Sequence, residues 1–149
     1  MKLLPNRKLS SEQFQATQLA ESVMNSADFR GWFLKAKFSE LGKFSNSLNS
    51  HLYMKFFVNN EYRFSLSLVK KPWIKFFDSS PGPESEAGEI QVYENVFAKM
   101  TPAERAGLIA HEITHIMGFT HSKKSPDRDK SLPHQVQEYV KTASELMLK

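Results

Sequence analysis

Apolar residues recur at near-helical spacing over residues 10–40, a pattern that predicts helix. Ser10 or Ser11 can cap its start, and Asn25-Ser26 interrupts it, so a second helix is expected over residues 28–38. Its polar face mixes acids with bases, which favours packing on a core over binding to a membrane. Residues 1–9 are expected to be flexible, and residues 41–50, with several Ser and Asn, to form a loop. The apolar positions are Phe14, Ala16, Leu19, Val23, Phe29, Trp32, Phe33 and Ala36.

From His51 the period shortens towards two, which predicts strands. Residues 52–58 and 62–68 are strand candidates joined by a turn, and together they predict an antiparallel hairpin. Residues 73–77 form a third, shorter strand candidate, residues 78–88 a loop, and residues 89–93 another strand. His51 is expected to be a surface residue rather than a metal ligand. The side chains expected to point inward are those of Tyr62, Phe64, Leu66 and Leu68.

Thr101, Pro102 and Glu104 predict where the next helix begins. They supply an N-cap, a proline at the first helical position and an acid at capping-box spacing. Along this helix an apolar arc lies roughly opposite His111, so the face with His111 is expected to line a cleft. The apolar arc consists of Ala106, Ile109, Ile113, Ile116 and Met117.

Residues 122–131 are charged and predicted to form a surface loop, and a last helix is expected over 134–148.

The same helix carries the spacing H-E-x-x-H-x-x-G-x-x-H, at His111, Glu112, His115, Gly118 and His121. His111 and His115 lie four residues apart on one face, so their imidazoles converge on one point. Gly118 follows where a helix commonly ends on a residue with positive φ, and the reversed chain can bring His121 back. Three neutral histidines leave one coordination position open, which is typical of a catalytic zinc site.

Glu112 flanks the histidine pair and is placed to hold the fourth ligand, a water, and to accept its proton. The alternative is a catalytically weak or inactive zinc-containing module that binds a peptide. The presence of Glu112 counts against this alternative, because zinc binding alone does not need it.

These five residues match the zinc-binding consensus of the metzincin clan of metallopeptidases, and residues 101–111 resemble small bacterial members. The resemblance implies one Zn²⁺ per chain held by His111, His115 and His121, with Glu112 as the base of an endopeptidase. The fold is expected to be α+β. It would have N-terminal helices, a small twisted mixed sheet, the zinc-binding helix and a C-terminal helix.

Metzincins place a methionine-containing turn beneath the zinc, but this chain has no Met between His121 and Met147. Ser131-Leu132-Pro133-His134 occupies the corresponding place, so Leu132 or Pro133 is expected to form the apolar floor of the site. His134 has two interpretations. It is either a surface residue near the helix start, or it enters the cleft and hydrogen-bonds the oxyanion, as a tyrosine does in some zinc peptidases.

Composition bounds the remaining possibilities. A chain of 149 residues suits a single domain, residues 1–149. The absence of cysteine excludes disulfides and thiolate metal sites. The net charge of +4 comes from scattered cations without a nucleic-acid-binding motif, which argues against a nucleic-acid partner. No apolar run approaches the ~18 residues of a membrane span.

The expected partner is therefore a peptide or protein substrate, extended along a strand edge of a monomer. Either residues 73–77 or residues 89–93 supply that edge. The compartment stays unknown. Residues 1–5 begin like a signal peptide, but the polar residues 6–8 end it before an apolar region forms. Either the protein is not exported by that route, or a leader has been removed from a secreted or periplasmic protein.

Overall fold

The computed structural model describes residues 1–39, 41–70, 78–80, 88–121 and 126–149, with backbone only at 42 and 78–80. Helices and strands are interspersed along the chain, which confirms the predicted α+β class. Short 3-10 helices cover Gly42–Phe44 and Arg128–Lys130. The elements are β1 (Lys2–Pro5), α1 (Ser11–Met24), α2 (Ala27–Lys35), α3 (Asn49–Phe57), β2 (Glu61–Val69), β3 (Asp78–Ser80), β4 (Gly88–Tyr93), α4 (Glu94–Phe97), α5 (Pro102–Ile116) and α6 (Leu132–Met147).

The sheet is mixed, as predicted, and its strand order is β1-β2-β4-β3. Strand β2 pairs in parallel with β1 on one side and with β4 on the other. Strand β3 pairs antiparallel with β4, with Ser79 opposite Ile90. Phe64 and Leu66 of β2 and Ile90 and Val92 of β4 are buried in the core, so one face of the sheet packs against the helices.

Local capping explains the two N-terminal helices. The Ser10 hydroxyl accepts a hydrogen bond from the amide of Gln13, whose side chain accepts one from the amide of Ser10 in return. Ser26 caps α2 in the same way through the amide of Phe29. The predicted interruption at Asn25-Ser26 is confirmed, although α2 ends at Lys35, earlier than expected.

The prediction of a strand over residues 52–58 is wrong, and with it the antiparallel hairpin. This segment is helix α3, which also shortens the predicted loop over 41–50. Its aromatic residues favour strands by propensity, but its buried positions have helical spacing. The Phe57 ring packs at centroid distances of 5.2 Å from Phe29 and 5.0 Å from Phe33 on α2. The buried residues of α3 are Leu52, Tyr53, Phe56 and Phe57.

Three further expectations change. Residues 2–5, expected to be flexible, form β1, and the Lys2 amide donates to the Asn60 carbonyl at 2.8 Å. Leu68, expected to point inward, is 38% exposed. Asp78–Ser80 is a strand within the predicted loop, whereas the strand candidate over 73–77 lies outside the described residues.

Helix α5 is the centre of the fold and packs against α1, α6 and strand β3. Gly107 allows α6 to come close, because a Cβ atom there would lie 2.7 Å from the carbonyl oxygen of Gln137. His111 follows Gly107 by one helical turn, and His134 precedes Gln137 by three residues. The close approach therefore places these two histidines beside each other. Among the described residues, no helix combines the length and the apolar character needed to cross a membrane.

Candidate metal centre

The metal-centre helix begins as the sequence predicts. The Glu104 amide donates to Thr101 Oγ1 at 3.2 Å, and the Thr101 amide donates to Glu104 Oε2 at 2.8 Å. The backbone hydrogen bond from Thr101 lowers the pKa of Glu104, so the carboxylate stays charged beside the positive end of the helix dipole. This start sets the helical phase in which His111 and His115 share a face.

Three imidazole nitrogens meet at one point. The Nε2 atom of His115 lies 3.0 Å from that of His111 and 3.2 Å from that of His121, and the remaining pair is 3.3 Å apart. Nitrogens bound tetrahedrally to one Zn²⁺ at about 2.0–2.1 Å are about 3.3–3.4 Å apart. The observed triangle is therefore close to the geometry of three ligands on one zinc ion.

A metal also fits the chemistry of this triangle. Each Nε2 either carries a proton or offers a lone pair, so at least two of the three must be alike. Two like nitrogens about 3 Å apart repel unless a cation lies between them. Among the described residues, these three form the group of potential ligands whose donor atoms all lie within 4.8 Å of one another.

Gly118 reverses the chain as predicted, with a φ of +96°. The Phe119 amide donates to the carbonyl of Thr114 at 3.1 Å, and the Gly118 amide donates to that of His115 at 2.9 Å. This pair of bonds is the Schellman arrangement, which needs a residue with positive φ at the position of Gly118. The reversal turns the chain back so that His121 reaches the other two histidines.

Phe119 anchors this reversed segment and also orients a ligand. Its buried ring packs 4.9 Å from those of Phe44 and Phe56. Its carbonyl oxygen lies 2.7 Å from Nδ1 of His115. Because a carbonyl can only accept, Nδ1 carries the proton and Nε2 presents its lone pair to the centre.

The surroundings favour the neutral forms of His111 and His115. Burial lowers the pKa of His111 well below its usual range, and the neighbouring His115, His134 and His121 lower it further. Burial also lowers the pKa of His115, although its bond to Phe119 opposes the shift. Neutral imidazole is the form that binds a metal, so these pKa shifts favour binding.

Glu112 is 2% exposed and follows His111 directly. The metal-ligand group found among the described residues consists of His111, His115 and His121 and does not include Glu112. Glu112 is thus a buried carboxylate outside the ligand set, and its role as the base stays a prediction.

His134 lies in the centre and not on the outer surface. Its ring centroid is 4.6 Å from those of His111 and His121. Arg128 Nε donates a hydrogen bond of 2.9 Å to its Nε2. The first interpretation, a surface residue near the helix start, is therefore wrong, while hydrogen bonding to an oxyanion stays a prediction.

Arg128 is the residue of the site that the sequence analysis did not identify. It lies within the charged residues 122–131, which were expected to be a surface loop, and no local spacing links it to His134. The 3-10 helix Arg128–Lys130 brings the two together. His51 is exposed on α3 and belongs to no metal-ligand group among the described residues.

Leu132 and Pro133, the candidates for the apolar floor, are both buried, and Leu132 is only 1% exposed. They start α6, directly before His134. Their position under the metal stays a prediction.

Two comparisons with known proteins support the metal assignment. The family model of the astacin peptidases matches residues 54–145, more than half of the chain. The zinc metalloproteinase dpy-31 of Brugia malayi is 39% identical over 54 residues, which are 36% of this chain and 9% of that protein. The match thus spans a small part of the relative. No solved structure matches the chain.

Proposed function

The chain belongs to the astacin family of peptidases, and on that premise we propose that it is a zinc-dependent endopeptidase. The observation that carries this proposal is the convergence of three imidazole Nε2 atoms on one point, on a helix that also carries the buried carboxylate of Glu112. The likeness of residues 101–111 to small bacterial peptidases and the monomeric state stay predictions.

His111, His115 and His121 would hold the zinc ion through their Nε2 atoms. Zinc supplies Lewis-acid chemistry, which makes water more acidic and polarises a peptide carbonyl. Glu112 accepts a proton from the attacking water. It then returns the proton to the amide nitrogen as the C–N bond breaks, so the products are a carboxylate and an amine.

His134 is the second residue that we assign to the reaction. Arg128 uses the Nε2 lone pair of His134, so the neutral ring has Nδ1–H as its one ring donor. We assign this donor to the carbonyl oxygen on which negative charge develops. Stabilisation of that charge by a prepositioned donor is commonly worth about 2.7–4 kcal/mol in hydrolytic enzymes.

Strand β3 is the edge that we assign to the substrate. Residues 89–91 of β4 are paired on both sides, with β2 and with β3, so they offer no edge. Strand β3 is at one end of the strand order and packs against α5. An extended peptide that pairs with β3 through its main chain would be held next to the metal-centre helix.

Hydrolysis of an unstructured casein-type protein tests the proposal. We expect chelator to abolish hydrolysis and added zinc to restore it. Glu112→Gln should keep one zinc while kcat/KM falls by roughly 10²–10⁴, the contribution of general-base catalysis. Glu145→Gln, on the exposed surface of α6, is the matched control and should retain activity. If the wild-type chain holds zinc and peptide but hydrolyses neither casein nor peptides, the peptide-binding alternative is correct.

A further inference from the structure

An open groove lies between α2 and α6, with a cavity volume of about 360 Å³. That volume is within the range of roughly 300–1,000 Å³ of sites that enclose a small organic group. We call it the α2–α6 groove. Its lining residues are Trp32, Asp129, Gln135, Glu138, Tyr139 and Thr142.

One wall of the α2–α6 groove is aromatic and firmly held. The rings of Trp32 and Tyr139 are stacked, with centroids 4.4 Å apart and an interplanar angle of 27°. Phe29, which is fully buried, packs edge-on against Tyr139 at 5.5 Å. Both stacked residues remain partly exposed, so a ligand has access to an aromatic surface that core packing keeps in place.

The charged groups of the groove are both acidic. Asp129 and Glu138 are exposed, and neither forms an ion pair with a described residue. Lys130, which follows Asp129, is instead paired with Asp127 at 2.7 Å. The negative charge in the groove is therefore not neutralised by an ion pair within the described part of the chain.

Gln135 adds a further acceptor. Its side-chain nitrogen donates at 2.9 Å to the carbonyls of Lys37 and Lys130. These two bonds use both N–H groups of the side-chain amide and tie α6 to the segment that follows α2. The amide oxygen of Gln135 is then the atom that can accept a hydrogen bond from a ligand.

The groove is connected to the metal centre through α6. His134, beside the metal-centre histidines, and Glu138, in the groove, are four residues apart and thus neighbours on the helix surface. Asp129 likewise follows Arg128, which holds His134. The two carboxylates of the groove therefore lie about one helical turn along α6 from His134 and one residue after Arg128.

We propose that the α2–α6 groove binds a lysine or arginine side chain of the peptide substrate, an inference that rests on the function proposed above. A long aliphatic stem would lie along the Trp32–Tyr139 stack, and its cation would meet the aromatic faces and the two carboxylates. Aromatic rings attract cations at their faces, and two carboxylates that form no ion pair with a described residue add charge complementarity. An acidic side chain would be repelled by the same groups.

A series of peptides tests this specificity. Each peptide is built from uncharged residues and carries either lysine or its uncharged analogue norleucine at one varied position. At one position we expect lysine to raise kcat/KM by about 5- to 30-fold over norleucine, the combined effect of a cation–π contact and surface ion pairs. Glu138→Gln should reduce this ratio several-fold. Glu138→Lys should invert it, so that norleucine is preferred to lysine at that position. Glu145→Gln makes the same charge change on α6 away from the groove and should keep the wild-type ratio.

Binding provides a readout that does not depend on hydrolysis. Fluorescence anisotropy of the labelled peptides with the Glu112→Gln protein should show tighter binding of the lysine peptide, by a similar factor. If the wild-type chain cleaves no peptide, the proposed function fails, whereas a lysine preference in binding would still support the groove. Equal values for lysine and norleucine at every position, in both kcat/KM and affinity, would overturn the inference.

Discussion

The Nε atom of Arg128 donates a hydrogen bond of 2.9 Å to Nε2 of His134, a residue whose ring lies against two histidines of the metal centre. A guanidinium can only donate, so His134 must accept through a lone pair and is neutral. Burial and the charge of Arg128 lower the pKa of His134, which agrees with that state. The bond therefore fixes both the tautomer and the orientation of His134.

Arg128→Ala should lower kcat/KM by about 10- to 100-fold, the usual cost of removing a partner that orients a metal-site residue. The zinc content should stay at one per chain, because no metal ligand is lost. Peptidase kinetics and elemental analysis measure the two effects. Lys130→Ala, in the same 3-10 helix, is the control and should retain activity. Unchanged kinetics in Arg128→Ala would show that His134 needs no such support.

Gly107→Ala should destabilise the fold even though alanine is the better helix former. The new Cβ would lie 2.7 Å from the Gln137 carbonyl, so α6 has to shift. Overpacking of this kind costs about 1–3 kcal/mol, and each kcal/mol lost lowers Tm by roughly 2–4 °C in a chain of this size. At Gly31 in α2, an added Cβ would meet no atom within 4 Å. Gly31→Ala should therefore stabilise the fold by about 0.5–1 kcal/mol. Thermal unfolding that gives the two variants the same sign would contradict the close approach of α5 and α6.

His121→Ala should lose zinc or bind it much more weakly, because two imidazoles remain of the three that converge. Elemental analysis after dialysis against a weak chelator measures the stoichiometry. His51→Ala removes an exposed histidine on α3 and should keep one zinc per chain. Full occupancy in His121→Ala would remove His121 from the ligand set.

Substitutions of Leu132 test whether this residue forms the apolar floor that a methionine supplies in metzincins. Leu132→Met nearly conserves volume and should cost less than about 1.5 kcal/mol, with zinc retained. Leu132→Asp would bury an unpaired charge at a residue that is 1% exposed, so folding or zinc retention should fail. Leu146→Asp, at an exposed position of the same helix, should have little effect on chemical denaturation. If a folded Leu132→Asp variant kept wild-type zinc affinity, Leu132 could not be the floor of the site.

The parts of the centre that could be predicted rest on local geometry. Two histidines four apart share a helical face whatever the rest of the chain does, and Thr101 with Glu104 marks the helix start. Gly118 could be assigned because positive φ is cheap only for glycine. Each of these inferences needs no more than about one helical turn of sequence.

The errors concern segments whose structure depends on distant partners. Residues 52–58 have the composition of a strand, but burial of one face against α2 makes them helix. Lys2–Pro5 becomes a strand because β2, almost sixty residues away, offers its edge. Residues differ by about 1 kcal/mol in their propensity for strand structure, and burying a single large apolar side chain stabilises the fold by more than that.

The sequence by itself therefore determined the metal ligands' spacing, the base beside them and the helix that presents them, because these are fixed by bonds and hydrogen bonds within one turn. Only the tertiary structure decided that His134 faces the centre, that Arg128 holds it, and that Trp32 and Tyr139 form one wall of a groove. Such contacts join elements far apart in the chain. Their geometry follows from how α2, α5 and α6 pack, and no local pattern of residues encodes that packing.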